Sequence, residues 1–377
     1  MTKTQSRLLA AIFMVVYFIG LLYANRPMEG DLFEIRQAST ESARVVSVSP
    51  AEDVWSFDFQ VELLTGPWRG QILEAHFRHN PLYDLEPQVG DLFSVQVTQN
   101  EDRVTVLANN PERRQPLLLL IGLFIGSLLL LGGKRGLRAI GGIAFTLSSI
   151  FFLLIPLIVR GYPVIATTLI IALLMSVVTI LIIGGSLPKM VTAILGTMVG
   201  VLCALMTAQI FGRLAHINGL QGEQATTILA ATNISHDQMR NLFTSGILIA
   251  SLGAVLDTSV AIASALEEVR AASPRVSPIK LLRSGMNVGR DAMGTMSNTL
   301  ILAFVGASLN TVIIFAIGDV SLNLLLNYPY IAMEILRSIS GSLGIVFAVP
   351  AVSFIGAILL GKRKTNRNSE KFRRVMS

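Results

Sequence analysis

The chain of 377 residues is 52% hydrophobic and only 14% charged, with a mean hydropathy of +0.62 and a formal net charge of +6. Soluble domains carry about a quarter charged residues, so this composition excludes a water-soluble globular protein and points to a chain that crosses a bilayer several times. The excess of positive charge lies in short loops beside apolar runs and in the tail, which fits membrane topology and argues against a nucleic-acid partner.

Leu8–Ala24 is the first apolar run, preceded by Lys3 and Arg7. An uncleaved anchor is expected: the run is long for a signal peptide, and Leu22 occupies a place where cleavage before Asn25 wants a small residue. Residues 25–114 change character. Short runs such as "ARVVSV", "WSFDFQVELL", "GQILEAHF", "GDLFSVQVTQ" and "RVTVLAN" alternate apolar with polar and are punctuated by Gly, Pro and Asn. That is the pattern of five strands, with "TQNEDR" (Thr98–Arg103) as a hairpin tip. A small, partly open β-barrel of the OB kind or a small sandwich is expected. The segment shows no basic stripe with interleaved aromatics, so an OB-like shape implies no oligonucleotide here.

From Pro116 the chain is apolar again. Candidate spans are Pro116–Gly133, Ala139–Val159, Pro163–Gly185, Met190–Phe211, Leu242–Leu266, Asp291–Ile317 and Ser338–Leu360, each near or above the ~20 residues that cross the hydrocarbon. With the N-terminal run this makes about eight. The expected fold class is a polytopic α-helical membrane protein with a small extracytoplasmic all-β, OB-like domain. Its parts are an anchor at 1–24, a β domain at 25–114, a seven-helix domain at 115–361 and a basic tail at 362–377. Arg7, Lys134–Arg138, Lys189, Glu267–Arg283 and Gly361–Arg374 all fall on one side with this count, and that side is the cytoplasm. Both termini are then cytoplasmic and the β domain lies outside. Among the outer loops, Gly219–Asn241 reads as a polar stretch with a surface helix. Asp319–Arg337, too apolar for a loop and too polar for a span, reads as interfacial or re-entrant with Tyr328 and Tyr330 at headgroup depth.

The polar residues inside these spans carry the functional question. A carboxylate at mid-helix costs roughly 2.5–3.5 kcal/mol on insertion scales, so it faces protein or water. Asp257 is such a residue. Thr258 and Ser259 lie beside it, Ser264 further along, and Gly253 one turn before. It is either a structural carboxylate held by hydroxyls or part of an ion or proton path. Asp291, Gly294, Thr295 and Asn298 recur at i, i+3, i+4 and i+7, which places them on one helix face. That face is expected to look inward and to meet Asp257 inside the bundle, although Asp291 also reads as a helix cap near the cytoplasmic boundary. Asn310 extends the polarity outward, and Glu334 with Arg337 suits an i,i+3 pair at the interface. Carboxylate, amide and hydroxyl oxygens are hard ligands, so a bound metal, if any, would fall to Asp257, Asp291 and Asn298. Cys203 is alone, and His76, His79, His216 and His236 have no zinc spacing, so neither a disulfide framework nor a cofactor is expected. Proteolysis by paired membrane aspartates is disfavoured, because "VGRD" (Val288–Asp291) lacks the G-x-G-D pattern of that chemistry. No enzymatic activity is expected.

At "GAVLDTSVAIASALEEV" (253–269) and "GRDAMGTMSNTLILAFVGASL" (289–309) the sequence resembles the YibE/F family of bacterial multi-span membrane proteins. The resemblance covers most of the chain and implies a bacterial cytoplasmic-membrane protein with a permease label and no assigned substrate. From the polar face itself, the expected activity is transport of an inorganic cation or a proton-coupled solute. The alternative is a non-transporting assembly or signalling protein whose outer β domain docks a partner. Besides the lipid bilayer, a second copy of the chain or an extracytoplasmic protein is the expected partner.

Overall fold

The computed structural model describes residues 17–25, 39–49, 56–78, 87–100, 103–220, 225–231, 234–318 and 321–361. The chain divides into two compact units. One is Met28–Gly133; the other comprises Met1–Pro27 and Lys134–Ser377.

The first unit holds five strands: β1 (Ser39–Val48), β2 (Ser56–Leu63), β3 (Ile72–Arg78), β4 (Leu92–Asn100) and β5 (Arg103–Pro111). All five answer to runs read from the sequence. They close into a barrel in the order β1-β2-β3-β5-β4, with β1 pairing β4 and β3 running parallel to β5. The circuit is therefore closed, where the sequence left a partly open barrel or a sandwich. Alternation puts every second side chain inside: Phe59, Val61 and Leu63 of β2 and Phe93, Val95 and Val97 of β4 are all buried. Phe59, Phe77 and Phe93 cluster with ring centroids 5.3–6.4 Å apart. The β4–β5 register pairs Asn100 with Arg103, so the hairpin tip lies at Glu101-Asp102, outside the described residues.

The helical stretch after the barrel begins with α2 (Arg114–Ser149); residues 17–24, denoted α1, are helical as well. Gly133 inside α2 has φ 50° and ψ −127°, so two helices meet there. A π-helical turn (Ile150–Leu154) and α3 (Ile155–Val159) continue the chain, followed by α4 (Val164–Ile183), α5 (Leu187–Leu214), α6 (Ala225–Ala231) and α7 (His236–Ala272). The last elements are α8 (Pro278–Ala307), α9 (Leu309–Ile317), α10 (Leu322–Asn327) and α11 (Pro329–Gly361). Among the described residues, five helical stretches are long and apolar enough to cross a membrane, or six if α8 and α9, bent by 64°, form one span. Eight were expected. Part of the difference is Arg114–Val159, a single stretch of 46 residues with the Gly133 break inside it. Part is the first apolar run, of which residues 8–16 lie outside the described residues. The basic tail from residue 362 onward also lies outside them.

Several helices start earlier than hydropathy suggests. Ser235 caps α7 in a capping box with Gln238, so α7 starts at His236, six residues before the expected Leu242. Ser277 caps α8 with Pro278 behind it, thirteen residues before Asp291. Both are strong start signals. Arg283, Asn287 and Arg290 lower the local hydropathy without interrupting the helix. The polar loop after α5 contains the short α6, whose Ala225 is buried. The expected interfacial segment contains α10, with Leu322, Leu324 and Leu326 exposed.

Helices α5, α7, α8 and α11 form the packed centre, and small residues set their spacing. A Cβ on Gly200 of α5 would lie 2.7 Å from the Gly344 carbonyl of α11 and 2.6 Å from Val255 of α7. A Cβ on Gly285 of α8 would lie 2.7 Å from Ser353 Oγ of α11. Without a hydrophobic force between helices in lipid, such close backbone approach supplies the packing contacts that hold the bundle. α1 is tied to the segment after Gly133: Tyr17 Oη lies 2.7 Å from Ser148 Oγ, and Asn25 Nδ2 donates to the Phe152 carbonyl at 2.8 Å.

Candidate functional site

Helices α2, α4 and α7 line a half-open cavity of about 730 Å³. From α7 come Ile249, Leu252, Gly253, Leu256 and Asp257, one face of the helix. α4 contributes Met175, Thr179 and Ile183, and α2 contributes Arg135, Arg138, Gly142 and Thr146. The walls are mostly hydrocarbon, with one carboxylate, two guanidinium groups and two hydroxyls.

The local sequence explains how α7 presents Asp257. Val255, Leu256, Thr258, Ser259 and Ile262 are buried, while Gly253 and Asp257 are exposed to the cavity side. Thr258 Oγ1 donates to the Ala254 carbonyl at 2.9 Å and Ser259 Oγ to the Val255 carbonyl at 2.8 Å. Neither hydroxyl holds the carboxylate, which removes the structural reading in which they fix it. Asp257 has no hydrogen-bond or ion-pair partner among the described residues. Its depth follows from packing. Val255, two residues earlier, lies against Gly344, near the middle of α11. An unpartnered carboxylate at that depth needs water, a proton or a ligand.

The expected meeting of Asp257 with the Asp291–Asn298 face does not occur. Asp291, Gly294, Thr295 and Asn298 do share one face of α8, but all four are exposed, and none lines the Asp257 cavity. The buried face of α8 is instead Leu281, Gly285, Gly289 and Leu300. The sequence reading took the polar stripe to be the packing surface, whereas the Gly-x-x-x-Gly at Gly285–Gly289 lets α8 seat against α11. Nor is Asp291 a helix cap, since α8 starts at Pro278. Asp257 lines the cavity and Asp291 and Asn298 do not, so the three offer no common ligand set in this arrangement. No group of three or more His, Cys, Asp or Glu that could hold a metal occurs among the described residues.

The remaining expected residues are scattered. Ser264 is half-buried on α7, away from the cavity lining, and Asn310 is exposed on α9 beyond the bend. Glu334 does pair with Arg337, at 3.2 Å, but as a largely buried pair: the side chains are 12% and 31% exposed. The Arg337 guanidinium also lies over Phe243 and Phe304, 5.5 and 5.6 Å from the ring centroids. Sequence reasoning missed Arg135, Arg138, Thr146 and Thr179. The arginines read only as topology signals, and single threonines in apolar runs give no signal.

Among comparisons with known proteins, the family model for YibE/F-like protein matches residues 120–362, well over half of the chain. No curated protein and no solved structure matches.

Proposed function

Starting from a membrane-embedded chain that belongs to the YibE/F-like family, we propose that it is a permease that couples the passage of a small solute to protonation of Asp257. The carrying observation is the unpartnered carboxylate in the α2–α4–α7 cavity. A lone carboxylate with two threonine hydroxyls is a poor cage for Mg²⁺ or Ca²⁺, which want six or more oxygens. It is a good proton site. Ionised, Asp257 requires water or a counter-charge; protonated, it can be closed off by apolar walls at much lower cost. Protonation thus changes which cavity contents the helices tolerate, which is the requirement for coupling. Arg135 and Arg138 in the same wall suit a solute with an anionic group. The barrel sits on the extracytoplasmic side in this reading, and the basic loops on the cytoplasmic side.

The test uses proteoliposomes loaded with a pH-sensitive dye and exposed to a panel of small organic acids. Wild type is expected to show acid-dependent proton movement with at least one of them, and Asp257→Asn to abolish it. Equal proton flux in wild type and Asp257→Asn removes Asp257 from the mechanism.

A further inference from the structure

The exposed stripe on α8 is the strongest unexplained surface in the molecule. It begins at Arg283 and Asn287, continues through Arg290, Asp291, Gly294 and Thr295, and ends at Asn298 and Thr299, all exposed. Its depth can be read from packing. A Cβ on Gly361, at the end of α11, would lie 3.0 Å from Pro278 Cγ, so α8 starts level with that end. Gly289 abuts Val349 of α11 and Ile262 of α7. Val349 is about 18 Å along α11 from Gly361, and about 18 Å from Arg337 in the other direction, at 1.5 Å per residue. The hydrocarbon is about 30 Å thick. Arg290 and Asp291 therefore sit close to the bilayer centre, on the outside of the protomer.

Lipid cannot solvate that face. Within the protomer the stripe satisfies little of itself. Arg290 Nη1 donates to Asn287 Oδ1 at 3.4 Å, and Thr295 and Thr299 donate to carbonyls of α8. The Asp291 carboxylate has no partner among the described residues. Gly294 is telling: a Cβ there would meet no atom within 4 Å, whereas at Gly285 it would clash with α11. The protomer's own packing does not need the small residue at 294.

We infer that the α8 face is the contact between two copies of this chain, related by a two-fold axis along the membrane normal. Two copies in one membrane share orientation, so such an axis brings equal heights together. On the face that Asp291 shares with Asn298, the two Asp291 carboxylates then meet near the axis, flanked by the Arg290 guanidinium of the other copy, which supplies the opposite charge. Asn298 meets Asn298 of the second copy, an amide pair that both donates and accepts. Gly294 allows the helices to approach closely. Other apolar segments of the chain lack the required chemistry: neither Leu8–Ala24 nor Pro116–Gly133 contains a charged residue. α8 itself supplies both signs, which makes a second copy the fitting occupant.

The test is disulfide cross-linking in membranes. In a Cys203→Ser background, Thr295→Cys and Asn298→Cys are expected to give a covalent dimer on oxidation, while Ile170→Cys, 68% exposed on α4, stays monomeric. Asp291→Arg should lose the dimer through like-charge repulsion. The exchange of both residues, Arg290→Asp with Asp291→Arg, should restore it. That rescue separates lost pairing from failed folding, because the double variant carries the same charges as wild type. Three results overturn the proposal. One is a monomer at both positions with wild-type-like folding. Another is ready labelling of Asn298→Cys by a membrane-impermeant maleimide, which would make the face a water-lined path. The third is a cross-link of that cysteine to a cysteine placed in Pro116–Gly133 of the same chain.

Discussion

The crossing of α5 and α11 at Gly200 allows a magnitude to be worked. In Gly200→Ala the new Cβ would sit 2.6 Å from Val255 Cγ1, 2.7 Å from the Gly344 carbonyl oxygen and 2.9 Å from Ala348 Cβ. The carbonyl is backbone and cannot rotate away, so α5 must move off α11 by about 0.7 Å to reach ordinary contact. Overpacking of this kind costs about 1–3 kcal/mol, and three simultaneous contacts put it near the upper end. Alanine returns about 1 kcal/mol of helix propensity. The net is about 2 kcal/mol, on the order of a thirty-fold shift in the folded-to-unfolded ratio. Gly246→Ala on α7 is the control: a Cβ there meets nothing within 4 Å, so only the propensity gain of about 1 kcal/mol remains. The readout must report the bundle. Both tryptophans, Trp55 and Trp68, lie in the barrel sequence, so their fluorescence does not serve. The single cysteine, Cys203, is three residues from Gly200 and half-buried. Its labelling by a maleimide, measured against a titration with denaturing detergent, follows opening of α5. The midpoint should fall for Gly200→Ala and stay or rise for Gly246→Ala. Equal shifts in the two variants would refute the close-packing argument.

Three further outcomes are expected. Arg337→Ala leaves the Glu334 carboxylate buried alone and removes the guanidinium from Phe243 and Phe304. A loss of about 3 kcal/mol in the same Cys203 assay is expected, with much of it recovered in Glu334→Gln/Arg337→Met. In the barrel, Phe59→Ala empties a site that is 1% exposed and should cost about 3–5 kcal/mol. Trp68, which packs against that core, reports it by fluorescence in the full chain. His76→Ala should change barrel stability by less than about 1 kcal/mol, because the His76–Asp58 pair at 2.5 Å is 55% and 44% exposed; a larger loss on denaturation would show that the pair is coupled to the core.

The strands were legible because each has one face in the core, and alternation announces that arrangement directly. Closure of the barrel was not, since pairing β1 with β4 and β3 with β5 joins residues far apart in sequence. In the helices, hydropathy located the apolar runs but misplaced their ends. At α8 it placed the start at Asp291, although Ser277-Pro278 puts it at Pro278, thirteen residues earlier. Asp257 was legible as a carboxylate well inside an apolar run, and it lies on the cavity lining. Its supposed partner was not legible: a 3.6-residue period shows that Asp291 and Asn298 share a face, but not which way that face points. The Gly285–Gly289 stripe on the opposite side held that answer. The cavity's other polar residues were invisible, because Arg138 and Thr179 become neighbours of Asp257 only through the packing of three helices.

The π turn at Ile150–Leu154 bears on that last point. Such a turn holds more residues than an α turn, so it sets the rotational phase of the preceding helix against the α3 segment that follows. Arg138, Gly142 and Thr146 reach the cavity with that phase. Deleting one residue from the π turn would restore α geometry and rotate the segment before it by about 100°. The Arg138 and Thr146 side chains would then swing off the cavity, and Gly142 with them, while hydropathy, length and span prediction stayed almost unchanged. The wall facing Asp257 thus depends on the number of residues in one turn, a property that composition does not record.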